Sequence, residues 1–258
     1  MPIIDAHCHA SPIWYEPVET LLFQMDRCQV DRALLTQMIG QFDNSYQQAS
    51  VAAHRDRLAS VVLVDPASLN AGDDLQRLVD DGIAGIRIGA GVSNSALWHA
   101  ADAHGLAISV SGSLAQKTAP EFIARIDSLK ACSFVLEHLG GLAQPDFDGN
   151  EAAKNTVFEL ARFPHVFLKM PGLGQSGKRT SLAQDPPIDP NVAGLFSACV
   201  AKFGADRLMW GSDFPPVASR EGYANALDWP MRALAHLSTA ERDAIFGGTA
   251  ARIFKFEG

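Results

Sequence analysis

The chain has 258 residues, 47% hydrophobic and 19% charged, which is ample to bury a core and excludes a disordered polymer. A formal net charge of −8 argues against nucleic acid as a partner, because a polyanion is held by surplus Lys and Arg. Every apolar run is shorter than the roughly 20 residues that cross a bilayer, so no membrane partner is expected.

In chain order, short β-branched runs alternate with segments of helical period. The expected order is strand 3–7, helix 17–28, strand 33–37, helix 44–56, strand 60–65, helix 72–81, strand 85–89 and helix 95–104. It continues with strand 106–110, helix 120–130, strand 133–138, helix 152–162, strand 166–170, helix 191–203, strand 208–213 and a helix from Tyr223 onward. Helical spacing is clearest in Leu75, Leu78 and Val79, and in Phe122, Ile123, Ile126 and Leu129. Gly82, Gly105 and Gly204 close helices just before a strand, as αβ turns require.

Eight strand–helix units of about 32 residues are the size of βα units. They predict an α/β fold, a (β/α)8 TIM-like barrel built as one domain over residues 1–258. The competing open, doubly wound sheet would carry a GxGxxG loop after its first strand, and that motif is absent there. Four scattered cysteines, Cys8, Cys28, Cys132 and Cys199, form no CxxC pair and read as reduced thiols. With an opening Met1–Asp5 that has no basic segment before an apolar stretch, they make a cytoplasmic location the expectation.

In such a barrel, chemistry stands where strands end. The residues at the expected ends are His7, His9, Gln37, Asp65, Arg87, Ser109, Ser111, His138, Lys169 and Asp213. So many polar ends would be costly in a dry core and make sense around one wet pocket. The His7-Cys8-His9 spacing points two imidazoles the same way and turns Cys8 away. Strands one and eight are neighbours in a closed barrel, which brings Asp213 beside that pair. His138 precedes Leu139 and the two glycines that release the chain. The segment 172–190, rich in Gly and Pro, reads as an active-site loop.

The pieces IIDAHCH, FVLEHLGG, LMWGSDFPP and FGGTAARIF, in that order, resemble the amidohydrolase-related family over essentially the whole chain. They are most similar to its branch of 2-pyrone-4,6-dicarboxylate lactonase-like and sugar-lactone hydrolases. The resemblance implies a distorted (β/α)8 barrel and places His7, His9, His138 and Asp213 on the family's active-site positions. It also places Arg87 on an arginine that the lactonases direct at substrate. Two departures stand out. Metal-dependent members carry a histidine at the end of strand five, where this chain has Ser109-Val110-Ser111. Gly141 stands where the 2-pyrone dicarboxylate lactonases have an arginine, which removes a carboxylate clamp.

The reading that follows is a hydrolase opening a lactone or similar activated ester on a small-molecule substrate. Asp213 activates water, neutral His7, His9 and His138 donate to the developing oxyanion, and Arg87, Lys169, Gln37, Trp14 and Tyr15 contact substrate. No obligatory cofactor is expected. The alternative is a metal-dependent decarboxylase or amide/ester hydrolase, with Zn2+ or Mn2+ held by His7, His9 and Asp213 and His138 as the acid/base. A barrel that binds a metabolite or a partner protein without turnover is the reading outside enzymology. A symmetric homodimer is the default assembly.

Overall fold

The computed structural model describes every residue except Pro145, Asp146, Asp148, Leu182, Glu257 and Gly258. The last two residues of the expected 1–258 domain and Leu182 of the expected 172–190 loop therefore lie outside the described residues.

Eight parallel strands form one sheet in sequential order: β1 (Ile4–Cys8), β2 (Arg32–Thr36), β3 (Leu58–Leu63), β4 (Gly85–Gly89), β5 (Ala107–Ser111), β6 (Ser133–Leu136), β7 (Val166–Met170) and β8 (Leu208–Trp210). Helices Val18–Cys28, Ser45–Ala53, Ala71–Asp80, Ser95–Ala103, Pro120–Ser128, Glu151–Glu159, Asn191–Phe203 and Tyr223–Ala233 follow successive strands. This is the expected (β/α)8 barrel. One helical turn, Leu114–Lys117, was not expected; its Ser113/Gln116 capping box was legible as Ser-x-x-Gln. The C-terminal helix also breaks, and a second capping box, Ser238/Glu241, starts a new one at Thr239.

Alternation along the strands sorts side chains into two packings. Outward residues such as Leu35, Val62, Ile86, Ile108, Phe134 and Trp210 bury against the helices. Inward residues Leu34, Val61, Ala107, Val135, Phe167 and Met209 fill the lower barrel, which Ala250 and Phe254 close from below. One inward position higher stand Arg87 on β4, Ser109 on β5, Glu137 just past the end of β6 and Lys169 on β7, all buried.

β1 carries an irregularity that positions the site. Its register runs Asp5 opposite Ala33 but Cys8 opposite Leu35, one residue more than its partner. A bulge of this kind lets consecutive residues face the same side. Ala6 stays in the inner apolar cluster, while His7 reaches the inward Lys169. Cys8 packs outward, its thiol 3.3 Å from the Leu34 carbonyl.

The β1–β8 seam closes the barrel through few ladder bonds. Asp213 donates its amide to the His7 carbonyl at 2.8 Å, and His9 donates to the Phe214 carbonyl at 2.7 Å. Between them β8 runs so close to β1 that a Cβ on Gly211 would lie 2.6 Å from the His7 Cβ. Asp5 fills the gap from the outward side. Its Oδ1 accepts the Ser212 and His7 amides at 2.8 and 3.1 Å, and its Oδ2 accepts the Ser212 and Tyr223 hydroxyls at 2.6 and 3.0 Å.

Candidate active site

Above the apolar layer lies a buried ionic network. Glu137 accepts a forked pair from Arg87, Nε to Oε1 at 2.9 Å and Nη2 to Oε2 at 2.8 Å. The Ser109 hydroxyl donates to Glu137 Oε1 at 2.7 Å and accepts from Lys169 Nζ at 2.8 Å. Lys169 in turn lies 3.1 Å from His7 Nδ1. Burial alone would raise the Glu137 carboxyl, but Arg87, His7 and Lys169 hold it well below its usual range. Burial pushes Lys169 down to about 8, with Glu137 opposing. A second sealed lysine, Lys117, gives its ammonium to the Glu137 carbonyl at 3.2 Å and is also lowered by burial to about 8.

On this floor the chain turns sharply. β6 ends at Leu136, so Glu137 and not His138 takes the next inward position after Val135. His138, Leu139, Gly140 and Gly141 then all adopt positive φ, a left-handed run that swings the His138 ring over the barrel mouth. Asp213 shares that conformation at φ 58°. Two non-glycine site residues held there are a local strain of roughly 1–3 kcal/mol each, sustained by the surrounding packing.

The three imidazoles and Asp213 meet. His7 lies 4.9 Å from the His9 ring and 5.1 Å from the His138 ring, each nearly perpendicular. Asp213 Oδ1 is 3.8 Å from His7 Nε2 and 3.6 Å from His9 Nε2. Burial opposes ionisation of Asp213, but the surrounding imidazoles and Arg220 bring it below the ordinary value. Its Oδ2 accepts from Arg220 Nη1 at 3.0 Å.

The hydrogen bonds set the tautomers. His9 donates Nδ1–H to the Thr36 carbonyl at 2.6 Å and turns its Nε2 toward Asp213. His138 accepts the Gln175 amide at Nδ1, 3.0 Å, which leaves its proton on Nε2. Burial lowers His138 to about 4 against the pull of Asp213 and Glu137, and it is a neutral donor near pH 7. With the Lys169 ammonium on Nδ1, His7 likewise carries Nε2–H, and that atom is buried without a partner. Burial, with Lys169 beside it, lowers His7 well below its usual value.

A cleft of about 610 Å³ opens above, lined by His9, Trp14, Tyr15, Ile39, Arg87 and Asp213 among others. Tyr15 stacks on His9 at 5.5 Å, and Trp14 is 77% exposed at the rim. Arg87 reaches this cleft with Nε, Nη1 and Nη2 all engaged, Nη1 on the Gln37 carbonyl at 2.8 Å. Lys169 lies sealed beneath His7. Gln37 spends its amide on Asp43, Asn44 and the Met38 amide, which ties down its own loop. Asp65 caps a turn at Ala67, outside this cluster.

Glu137, Gln175 and Arg220 belong to the site and escaped the sequence reading. Glu137 was legible from parity with Val135. Gln175 sits in the helical turn Leu173–Ser176 and Arg220 just after the turn Pro216–Ser219, in connections whose course no periodicity encodes. Gly141, where a cation was missed, has φ 104°, and a Cβ there would lie 3.0 Å from Leu114 Cα; this backbone has closed that position to a side chain.

Comparison with known proteins identifies the family and the fold. The family model described as Amidohydrolase matches residues 4–256. An L-fucono-1,5-lactonase from Burkholderia multivorans is 36% identical over 140 residues; the match spans 52% of this chain and 45% of that protein, about half of its length. A zinc-bound amidohydrolase crystal structure from Burkholderia multivorans superposes with a TM-score of 0.82 at 23% identity, covering 98% of this chain and 99% of that one. A probable 2-pyrone-4,6-dicarboxylic acid hydrolase from Acinetobacter baumannii, with citric acid bound, gives 0.78 at 15% identity over 98% and 99%. At these identities the structural likeness speaks for the fold. Among the described residues, no helix is long and apolar enough to cross a membrane.

Proposed function

The chain belongs to the amidohydrolase family, and from that premise we propose that it is a hydrolase opening a lactone, of the sugar-lactone kind, by attack of water activated by Asp213. The observation that carries this reading is the placement of Asp213 Oδ1 within 3.6 and 3.8 Å of two imidazole Nε2 atoms at the barrel mouth. Water in front of Asp213 and His9 donates one hydrogen to the free Oδ1, with His9 Nε2 beside it, and turns a lone pair toward substrate. Asp213 removes a proton as the water oxygen bonds to the carbonyl carbon. The charge gathering on the carbonyl oxygen falls to the Nε2–H groups of His138 and His7; one such donor is typically worth about 3 kcal/mol. When the ring C–O bond breaks, protonated Asp213 returns its proton to the leaving alkoxide, and the product is a hydroxy acid. Arg220 steadies Oδ2 and leaves Oδ1 for the water, while Trp14 and Tyr15 offer faces to the lactone ring. Arg87 orders the floor through Glu137 and meets substrate at its edge.

The same groups fit a divalent ion, which is a second reading. His9 turns Nε2 inward, His7 Nε2 is buried and unpartnered among the described residues, and their ligand atoms and an Asp213 oxygen all lie within 4.8 Å of one another. His7 supplies a lone pair once its proton moves to Nδ1, which faces a Lys169 amine lowered to about 8. Zn2+ or Mn2+ would be held by His7, His9 and Asp213, and when bound would supply Lewis-acid polarisation of the carbonyl.

The deciding experiment is a screen of small lactones by proton release, run metal-free and with Zn2+ or Mn2+, with Asp213→Asn as the blank. Turnover in the parent alone supports the assignment of Asp213. A blank as fast as the parent refutes it, and activity abolished by chelation and restored by one ion selects the second reading.

A further inference from the structure

A second cleft of about 600 Å³ lies between the loops after β7 and β8, lined by Gln175, Lys178, Arg179, Arg220, Asn225 and Trp229 among others. It shares two side chains with the catalytic cluster. Gln175 gives its amide nitrogen to His138, and Arg220 gives Nη1 to Asp213. Anything seated in this cleft is therefore one side chain away from both reacting groups.

Its charge is unusual for this molecule. In a chain of net charge −8, three cations line one opening, and the side chains of Lys178 and Arg179 are exposed with no hydrogen bond or ion pair among the described residues. Glu221, the one carboxylate among the described lining residues, pairs with Arg220 and with neither Lys178 nor Arg179. Its side chain is 1% exposed and lies so close to Gly172 and Gly174 that a Cβ on either glycine would collide with it. It approaches Arg220 Nε at 3.4 Å and so fixes the root of that guanidinium, leaving Nη2 without a partner among the described residues. The cleft thus presents surplus positive charge, with Arg220 standing between it and Asp213.

We propose that this cleft is a subsite for an oxyanionic arm of the substrate, a carboxylate or phosphoryl group held by Lys178 and Arg179 with Arg220 at the boundary to the catalytic cluster. This rests on the lactone-hydrolase reading and adds a specificity to it. The enzyme prefers lactones that carry a negative charge several bonds from the carbonyl. The position differs from that of Gly141, where a side chain has no room.

The test uses the full chain and the exposed double variant Lys178→Ala/Arg179→Ala, with three lactones: neutral, carboxylate-bearing and phosphorylated. For the preferred anionic lactone, kcat/KM should fall about 10–100-fold in the variant, through KM, with the neutral lactone within twofold of the parent. The arm that responds identifies the oxyanion, and its advantage should shrink as salt rises from about 0.05 to 0.5 M. Equal losses on all three lactones, or no loss on either anionic one, overturn the proposal. If no lactone is turned over, the hydrolase reading fails by itself and the cleft is judged by calorimetry with glutarate and inorganic phosphate. Saturable binding that the double variant abolishes then supports the subsite, and its absence in the parent overturns it.

Discussion

The barrel interior holds two layers built by the same strands with opposite chemistry. The lower inward positions of β5, β6 and β7 are Ala107, Val135 and Phe167; two residues later the same strands deliver Ser109, Glu137 and Lys169. The lower layer stabilises by removing apolar surface from water, about 25 cal/mol per Å². The upper layer has no such return. Buried ion pairs seldom add stability over apolar residues of the same volume, though breaking one is costly. Charges sunk at this height make sense as a platform that fixes His7 through Lys169 and aims the turn carrying His138. The lower layer answers to stability, the upper to geometry.

Removing the centre of the platform should break that contrast most visibly. Glu137→Gln keeps the shape and deletes the charge, leaving Arg87 and Lys169 buried without compensation. A loss of about 3–5 kcal/mol in urea unfolding is expected, with lactone turnover falling toward the blank. A variant as stable as the parent would mean that the upper layer is not an ionic platform. Asp213→Asn probes the opposite case, a group above the platform to which the proposed reading gives chemistry but little packing. Its kcat/KM should fall about 10²–10⁴-fold, while unfolding shifts by no more than about 1 kcal/mol. A large stability loss with modest loss of rate would move Asp213 into the scaffold.

How much of this was legible follows from where the information is stored. The barrel was readable because β-branched runs such as Val166–Met170 alternate with helices of clear period, and that pattern is local. His7, His9 and Asp213 were readable because strands one and eight must be neighbours in any closed eight-strand sheet. Glu137 was passed over for its neighbour because strand six was expected to reach His138, whereas it stops at Leu136 and the chain enters a left-handed run. The extra residue in β1 leaves no sequence period, although it decides which imidazole faces inward. Arg220 and Gln175 depend on loop paths set by tertiary packing, Glu221 against Gly172 and Gly174 being the clearest instance.

The turn above the platform offers a pH test of the same contrast. His138 is lowered to about 4 in the folded chain, mainly by burial, against about 6.5 when unfolded. Below pH 6.5 the unfolded chain takes up a proton that the folded one refuses, so stability is lost as pH falls toward 4 and levels off beneath it. Between pH 7 and 4 the parent should lose about 2–3 kcal/mol more than His138→Gln. Parallel curves would place the ring in water and remove the argument for a neutral donor.

The smallest effect is expected in the lower layer. Phe167 is an inward, 4% exposed member of the apolar cluster, packed among residues such as Val135 and Met209. Phe167→Leu nearly conserves volume, and such swaps usually cost less than about 1.5 kcal/mol because neighbouring side chains refill the space. The ionic residues two positions later hold one another through directed bonds, Arg87 to Glu137 at 2.8 and 2.9 Å and Lys169 to Ser109 at 2.8 Å. Those bonds fix their geometry independently of small shifts below. Stability should therefore drop by about 1 kcal/mol, with kcat/KM within twofold of the parent. If Phe167→Leu slowed turnover tenfold while leaving unfolding almost unchanged, the two layers would be mechanically one unit, and the division of labour between them would have to be abandoned.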